Sequence, residues 1–195
     1  GNEELKVNRI DKKLFSQFKK YKIFVAASTH DTEEIFAAKT HLLLKKNNKN
    51  LITIIIPRHI NRVDQIINDI SMLNLNIITQ RSNKKNLSNV DIFIVDTFGE
   101  SKKFYKIATS VFLGGSIISK GGQNPLEPAR FGAKILHGPD VDNFKEVYRY
   151  LDLLKISSKV KNPLQCANSI IFKKNMKKVK KMKFLGNNIL KNKIG

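Results

Sequence analysis

One stretch limits this chain more than any other. Residues 110–127 read SVFLGGSIISKGGQNPLE. Ser110–Leu113 is a four-residue apolar run of the kind that forms a buried strand. Gly114 and Gly115 follow at once, and a second pair, Gly121 and Gly122, closes a polar loop. Asn124, Pro125 and Glu127 then read as a helix start: a capping side chain, a proline at the first position and an acid in the first turn. Strand, glycine loop and helix start is the arrangement that binds phosphate in open α/β sheets. Unpaired N–H groups and a partial positive charge face the loop there, and glycine lets the backbone approach a ligand. A second reading stands beside this one. Asn124-x-x-Glu127 also fits an ordinary capping box, with Glu127 bonded back to the Asn124 amide, and glycine pairs also serve simply to turn a chain.

The flanking pattern sets the fold class. Apolar runs at Lys22–Ala27, Leu51–Ile56, Asp91–Val95 and Ser110–Leu113 predict strands, with weaker ones at Asn76–Gln80 and Lys134–Leu136. Between them, 3.6-residue spacing predicts helices over Asp31–Lys46, Asn61–Leu73, Glu100–Ala108, Asn124–Gly132 and Asn143–Leu154. Leu14 and Phe18 share a face in a short leading helix. The inward residues are expected to be Ile35, Ala38, Leu42 and Leu43 in the first of these helices. Val63, Ile66, Ile67 and Ile70 are expected to face inward in the second, and Val147, Tyr148 and Leu151 in the last. Pro163–Met182 reads as one final basic helix with Leu164, Ala167, Ile171 and Met182 inward. Continuously apolar strands alternating with helices imply an α/β, Rossmann-like parallel sheet covered on both faces. The expected divisions are a lead-in over residues 1–20, a nucleotide-binding domain over 21–162 and a basic helix and tail over 163–195.

Right-handed crossovers put the C-terminal ends of all these strands on one rim, where such sheets bind ligands. Four polar clusters follow predicted strands: Ser28-Thr29-His30, Pro57-Arg58-His59, Asp96 to Glu100, and Gly114 through Glu127. Arg58 has the planar fork that suits phosphate. Glu127 could accept from ribose hydroxyls, Phe98 could wall a base, and Glu100 either meets ligand or caps its helix. His30 and His59 read as loop or packing histidines, Asp96 as a loop-ordering acid and His137 as structural.

Composition narrows the partners. Thirty-six Lys and Arg against 16 acids give +20, a charge suited to nucleic acid, an anionic membrane surface or a phosphorylated substrate. A general Lys, Asn and Ile bias accounts for such a charge equally. Nine lysines and no acid fall between Lys173 and Lys193, and without them 27 bases still oppose 16 acids. Basic residues are not interleaved with aromatics in a stacking pattern, so no nucleic-acid partner is expected. Cys166 is the only cysteine and reads as packing; it allows no intrachain disulfide. No run approaches a membrane span. Neither G-x-x-x-x-G-K-[ST] nor G-x-G-x-x-G after the first strand is present, which argues against a P-loop ATPase and an NAD enzyme. No metal-ligand spacing, Ser/His/Asp set or carboxylate pair stands out, and no metal or cofactor is expected.

Several of these segments resemble the 3-deoxy-D-manno-octulosonic acid (Kdo) transferases of lipopolysaccharide synthesis. They are VAASTHDTEE at Val25–Glu34, PRH at Pro57–His59, DTFGE at Asp96–Glu100, FLGGSIISKGGQNPLEPARFG at Phe112–Gly132 and GPDVDNF at Gly138–Phe144. The resemblance covers that family's C-terminal, nucleotide-binding lobe of a two-lobed GT-B fold. It implies CMP-Kdo as donor and a lipid A precursor as acceptor. It also implies a peripheral place on the cytoplasmic face of the inner membrane, against anionic lipid. The catalytic carboxylate is expected in an N-terminal acceptor lobe that this chain lacks, with GNEELK at its end. Carried over by position, CMP would meet Pro57, Arg58, Phe98, Gly99, Glu100, Asn124, Pro125, Leu126 and Glu127, with Ser28, Thr29, Gly114 and Gly115 as further candidates. Thr32 stands where the family has glycine, Ser101 where it has leucine, and His137 where it has a bulkier apolar residue. Another GT-B transferase or nucleotide-sugar epimerase lobe shares much of this pattern, and a basic nucleic-acid-binding module is the remaining alternative.

Overall fold

The computed structural model describes residues 1–182 other than residue 85, and only the backbone of residues 4–10. Seven parallel strands form one sheet in the order β3-β4-β2-β1-β5-β6-β7. They are β1 (Lys22–Thr29), β2 (Leu51–Pro57), β3 (Ile77–Thr79), β4 (Ile92–Ile94), β5 (Ser110–Leu113), β6 (Lys134–His137) and β7 (Ser157–Lys159). Helices α1 (Asn2–Phe18), α2 (Glu33–Lys45), α3 (Val63–Ser71), α4 (Ser101–Ile107), α5 (Leu126–Arg130), α6 (Lys145–Leu153) and α7 (Pro163–Ser169) precede, connect or follow them. The order reverses between β1 and β5. Strands up to β4 are laid down on one side of β1, and β5 to β7 on the other.

The alternation of side chains explains the unbroken apolar runs. Along β1, Ile23, Val25 and Ala27 face one core with Leu14, Phe18, Phe104, Tyr148 and Leu151. Phe24 and Ala26 face the other, with Phe36, Ala37, Val63, Ile66, Ile70 and Cys166. Each face must be covered, so a strand buried on both sides carries few polar positions. The leading helix belongs to this packing: Phe18 meets Phe93 edge to face at 5.1 Å, and Phe15 meets Phe104 at 5.3 Å.

Three expectations need correction. β7 reads Ser-Ser-Lys and was not foreseen; as an edge strand it buries only Ser157 fully. In α2 the buried residues are Glu33, Glu34, Phe36, Ala37, Ala38, Thr40, His41 and Leu44, while Leu42 is exposed and Ile35 and Leu43 only half-buried. That helix lies between the sheet and α7, so its buried surface is wider than one stripe. The last helix is not continuous. α7 stops at Ser169, residues 170–175 are non-helical, and 176–182 form a separate helical segment. The buried hydroxyl of Ser110 donates to the Ile171 carbonyl at 2.8 Å and accepts from the Ile171 N–H at 2.9 Å, holding that break. Leu164 and Ile171 are consequently exposed rather than inward. Residues 183–195, the rest of the basic tail, lie outside the described residues.

Cys166 is buried, and burial pushes its thiol up to about 12, as suits a packing residue. Among the described residues no helix is long and apolar enough to cross a membrane.

Candidate functional site

The four polar clusters end up on four adjacent strand ends, in the order β4, β2, β1, β5. Local bonds fasten them to one another. The Arg58 N–H donates to the Thr29 carbonyl at 3.0 Å, the Gly114 N–H to the Ala27 carbonyl at 2.8 Å, and the Val95 N–H to the Ile55 carbonyl at 2.9 Å. Ser28 has φ +55 and forms a bulge between Ala27 and Thr29, beside the point where strand order reverses. Gly114 lies directly against that bulge: a Cβ there would fall on the Ser28 carbonyl oxygen and 2.7 Å from the Thr29 Cα. Only glycine allows β5 to leave the sheet so close to β1.

The glycine loop is organised by a residue that pattern reading assigned only to the helix dipole. Glu33 is fully buried in the first turn of α2. Its carboxylate accepts from the N–H groups of His30 at 3.0 Å, Gly115 at 2.7 Å, Ser116 at 3.3 Å and Ile117 at 3.1 Å. The amides that follow Gly114 are therefore already held by a side-chain anion. The second glycine pair is committed too. The Gly121 N–H donates to Asp140, and the Gly122 N–H to the Gly115 carbonyl. Farther along, the Tyr148 hydroxyl donates to the Gln123 carbonyl at 2.8 Å. Burial raises that phenol, so it stays a donor.

The nine foremost candidates divide by what they already touch. Pro57 is buried at the end of β2 opposite Thr29. The Arg58 side chain is exposed and makes no ion pair or hydrogen bond within the described residues. Phe98 is 86% exposed, a large cost for an aromatic ring with no role. Gly99 has φ +76 with open space around it. Glu100 is engaged: its carboxylate pairs at 2.8 Å with Lys103, which also holds Asp11 at 2.8 Å. This favours its helix-end reading over the ligand reading. The Asn124 side chain accepts from the Leu126 N–H at 3.0 Å, which forms a turn just ahead of α5; the N-cap of that five-residue helix is Pro125, not Asn124 as the pattern suggests. Pro125 is buried, and Leu126 packs against the core. Glu127 is exposed and does not bond back to the Asn124 amide, so no capping box closes. Its charge instead reaches Tyr105 of α4, whose phenol burial and Glu127 together push up to about 12.

Two histidines meet at the reversal point. His30 and His59 pack edge to face with centroids 5.8 Å apart, and His30 lies over Gly115. Burial draws the His30 imidazole below its ordinary value; Glu33 opposes this, while His59, Lys120 and Arg62 add to it. Arg62 itself forks onto the buried Glu34 carboxylate at 2.8 and 3.2 Å, fixing the turn after β2 to the start of α2. The Thr29 hydroxyl is buried here without a hydrogen-bond partner. Asp96 accepts from the Arg81 N–H, in keeping with a loop-ordering role. His137 donates from Nδ1 to the Gly138 carbonyl and stacks on Tyr148 at 4.5 Å, in keeping with a structural one. A cavity of about 150 Å³ lies at the opposite end of the sheet, lined in part by Lys134, Ile156 and Lys178.

An all-parallel sheet with this strand order, reversing between β1 and β5 and flanked by helices, is a Rossmann-like α/β fold. No protein-family model matches the chain. By sequence the chain is 32% identical over 192 residues to the 3-deoxy-D-manno-octulosonic acid transferase of Rickettsia prowazekii, covering 98% of this chain and 41% of that protein. It is 33% identical over 129 residues to the transferase of the same name from Haemophilus influenzae, covering 66% of this chain and 30% of that one. The crystal structure of the C-terminal CMP-Kdo binding domain of WaaA from Acinetobacter baumannii shares the fold. Its TM-score is 0.73 at 22% identity, covering 82% of this chain and 86% of that one. The chain belongs to the Kdo transferase family. It spans less than half the length of the curated relatives it matches.

Proposed function

We propose that this chain is the donor-binding lobe of a Kdo transferase and holds the cytidine monophosphate part of CMP-Kdo along the rim of β4, β2, β1 and β5. The observation that carries the reading is a set of side chains with nothing else to do. The Arg58, Phe98 and Glu127 side chains are exposed and make no hydrogen bond among the described residues; Arg58 and Phe98 follow the adjacent strands β2 and β4, and Glu127 lies in the first turn of α5. Arg58 supplies two parallel donors to phosphate oxygens. Phe98 offers a ring face to the base, and Glu127 accepts from ribose hydroxyls. Pro57, Gly99, Pro125 and Leu126 shape the backbone around them. Ser28, Thr29 and Gly114 set the depth of the crevice. No metal-ligating group of three or more side chains occurs among the described residues, and the reading assigns charge stabilisation on the departing CMP to Arg58.

Transfer to a lipid A precursor would require the portion that the longer relatives have beyond this match. Donor binding would close the two lobes around the acceptor. The excess of lysine suits a peripheral position on an anionic membrane. Binding to vesicles should strengthen when anionic lipid replaces neutral lipid; equal binding to both removes the membrane part of the proposal. The nucleotide part is tested by titrating the chain with CMP, UMP and UDP. CMP should bind best, and Arg58→Ala should weaken it by about tenfold or more. A clear preference for a uridine nucleotide would instead support a different glycosyltransferase or epimerase lobe.

A further inference from the structure

His30 and His59 meet where the strand order reverses. No ring nitrogen of either histidine has a hydrogen-bond partner among the described residues. The groups around them are mostly cationic. Lys120 comes from the loop after β5, Arg62 from the turn after β2, and Arg58 directly precedes His59. The carboxylate facing His30 from α2 is Glu33, and its oxygens already accept four backbone N–H groups. Arg62 is taken by Glu34 and Asp31. Arg58 and Lys120 make no ion pair within the described residues. The loop is shaped to admit the ring: Gly115 has φ +69, and a Cβ there would stand 3.5 Å from the His30 ring and 3.3 Å from Lys120 Cβ. Two imidazoles whose nitrogens have no partner among the described residues, with Lys120 beside His30 and Arg58 next to His59 in sequence, thus gather at the reversal of strand order. That is where open α/β sheets take ligands.

We infer that His30, flanked by His59, Arg58 and Lys120, forms a phosphate subsite in which nucleotide binding is coupled to proton uptake by His30. This rests on the CMP reading and specifies where the phosphate lies. Without nucleotide, burial, His59 and the cations Lys120 and Arg62 disfavour an imidazolium, and Glu33 opposes them only in part. A phosphate dianion at the same place reverses that balance, and the ring becomes a charged donor to it. The sign follows. The empty-state value lies below the ordinary 6.5 and the bound value lies higher. Between the two, affinity rises as pH falls, and below the empty-state value this gain levels off.

The test is calorimetric titration of the whole chain with CMP at pH 7 in two buffers of different ionisation heat. The dependence of the observed heat on buffer gives the protons exchanged. Wild type should take up a fraction of a proton with CMP and none with cytidine, which has no phosphate. His30→Asn, whose backbone bond to Glu33 is retained, should lose the uptake and bind CMP about tenfold more weakly. CMP's own phosphate also titrates near pH 6, but this contribution is common to both proteins and cancels in the comparison. If His30→Asn binds CMP as tightly as wild type, or exchanges the same number of protons, the subsite is refuted while the nucleotide reading stands. If wild type binds no CMP at all, the nucleotide reading fails first and takes the subsite with it.

Discussion

At the scale of single residues, Thr32 and Glu33 show how much a pattern can hide. Thr32 has φ +74, a conformation that a β-branched residue adopts only under strain. Its side chain is exposed, and the position is one where the family resemblance expects glycine. Thr32→Gly should therefore stabilise the chain by about 0.5–1 kcal/mol after the entropy of the unfolded glycine is set against the relieved strain. The melting temperature would rise by roughly 1–4 °C; a fall would show that Thr32 contributes a contact not recognised above. Glu33 works in the opposite direction. In the sequence it looks like one of two acids placed early in a helix, yet it binds four amides, three of them more than 80 residues away. Glu33→Gln leaves a mismatched donor among those amides. It should cost about 2–4 kcal/mol by denaturant unfolding and loosen the glycine loop. No local pattern contains that information, because the partner is supplied by the tertiary fold.

At the scale of elements, strands buried on both faces are readable because they admit few polar positions, and the cores of β1, β2, β4 and β5 are of that kind. The edge strand β7 has one bonded neighbour and half-exposed positions, so its Ser-Ser-Lys carried no apolar signal. The break after α7 was hidden for a different reason. Ile170, Ile171 and Phe172 continue an apolar helical pattern, and a serine 61 residues earlier captures both backbone groups of Ile171. α2 is tied to the sheet by an equally nonlocal chain. His41, fully buried, sits 2.7 Å from the Thr53 hydroxyl and 3.3 Å from Asp91, which also accepts from the Asn76 N–H. Burial pushes the Asp91 carboxyl up, but the bonds from His41 and Asn76 and the charges of His41 and Lys45 outweigh it and hold the group below its ordinary value. A depressed carboxylate contributes stability above its unfolded value of about 3.9 and loses it as pH falls through the folded value. Asp91→Asn should be less stable than wild type by about 1–2 kcal/mol at pH 7. The difference should shrink below about pH 4; an unchanged difference at pH 2.5 would refute the assignment.

At the scale of the whole molecule, the sequence showed which loops share a rim, and the structure shows which of their groups remain free. Arg58, Phe98 and Glu127 were read from position alone and stand exposed. Glu100, the Asn124 side chain and the glycine amides were equally plausible by position, and each is already occupied by Lys103, Leu126 or Glu33. The central claim is that one nucleotide spans loops that the chain keeps far apart. The most direct test is an amide chemical-shift map of this chain titrated with CMP. The account predicts saturable shifts gathered at residues 28–30, 57–59, 97–100 and 123–127, with the lysine-lined cavity at the far end of the sheet unaffected. Shifts confined to that far cavity, or to only one of the rim loops, would contradict it.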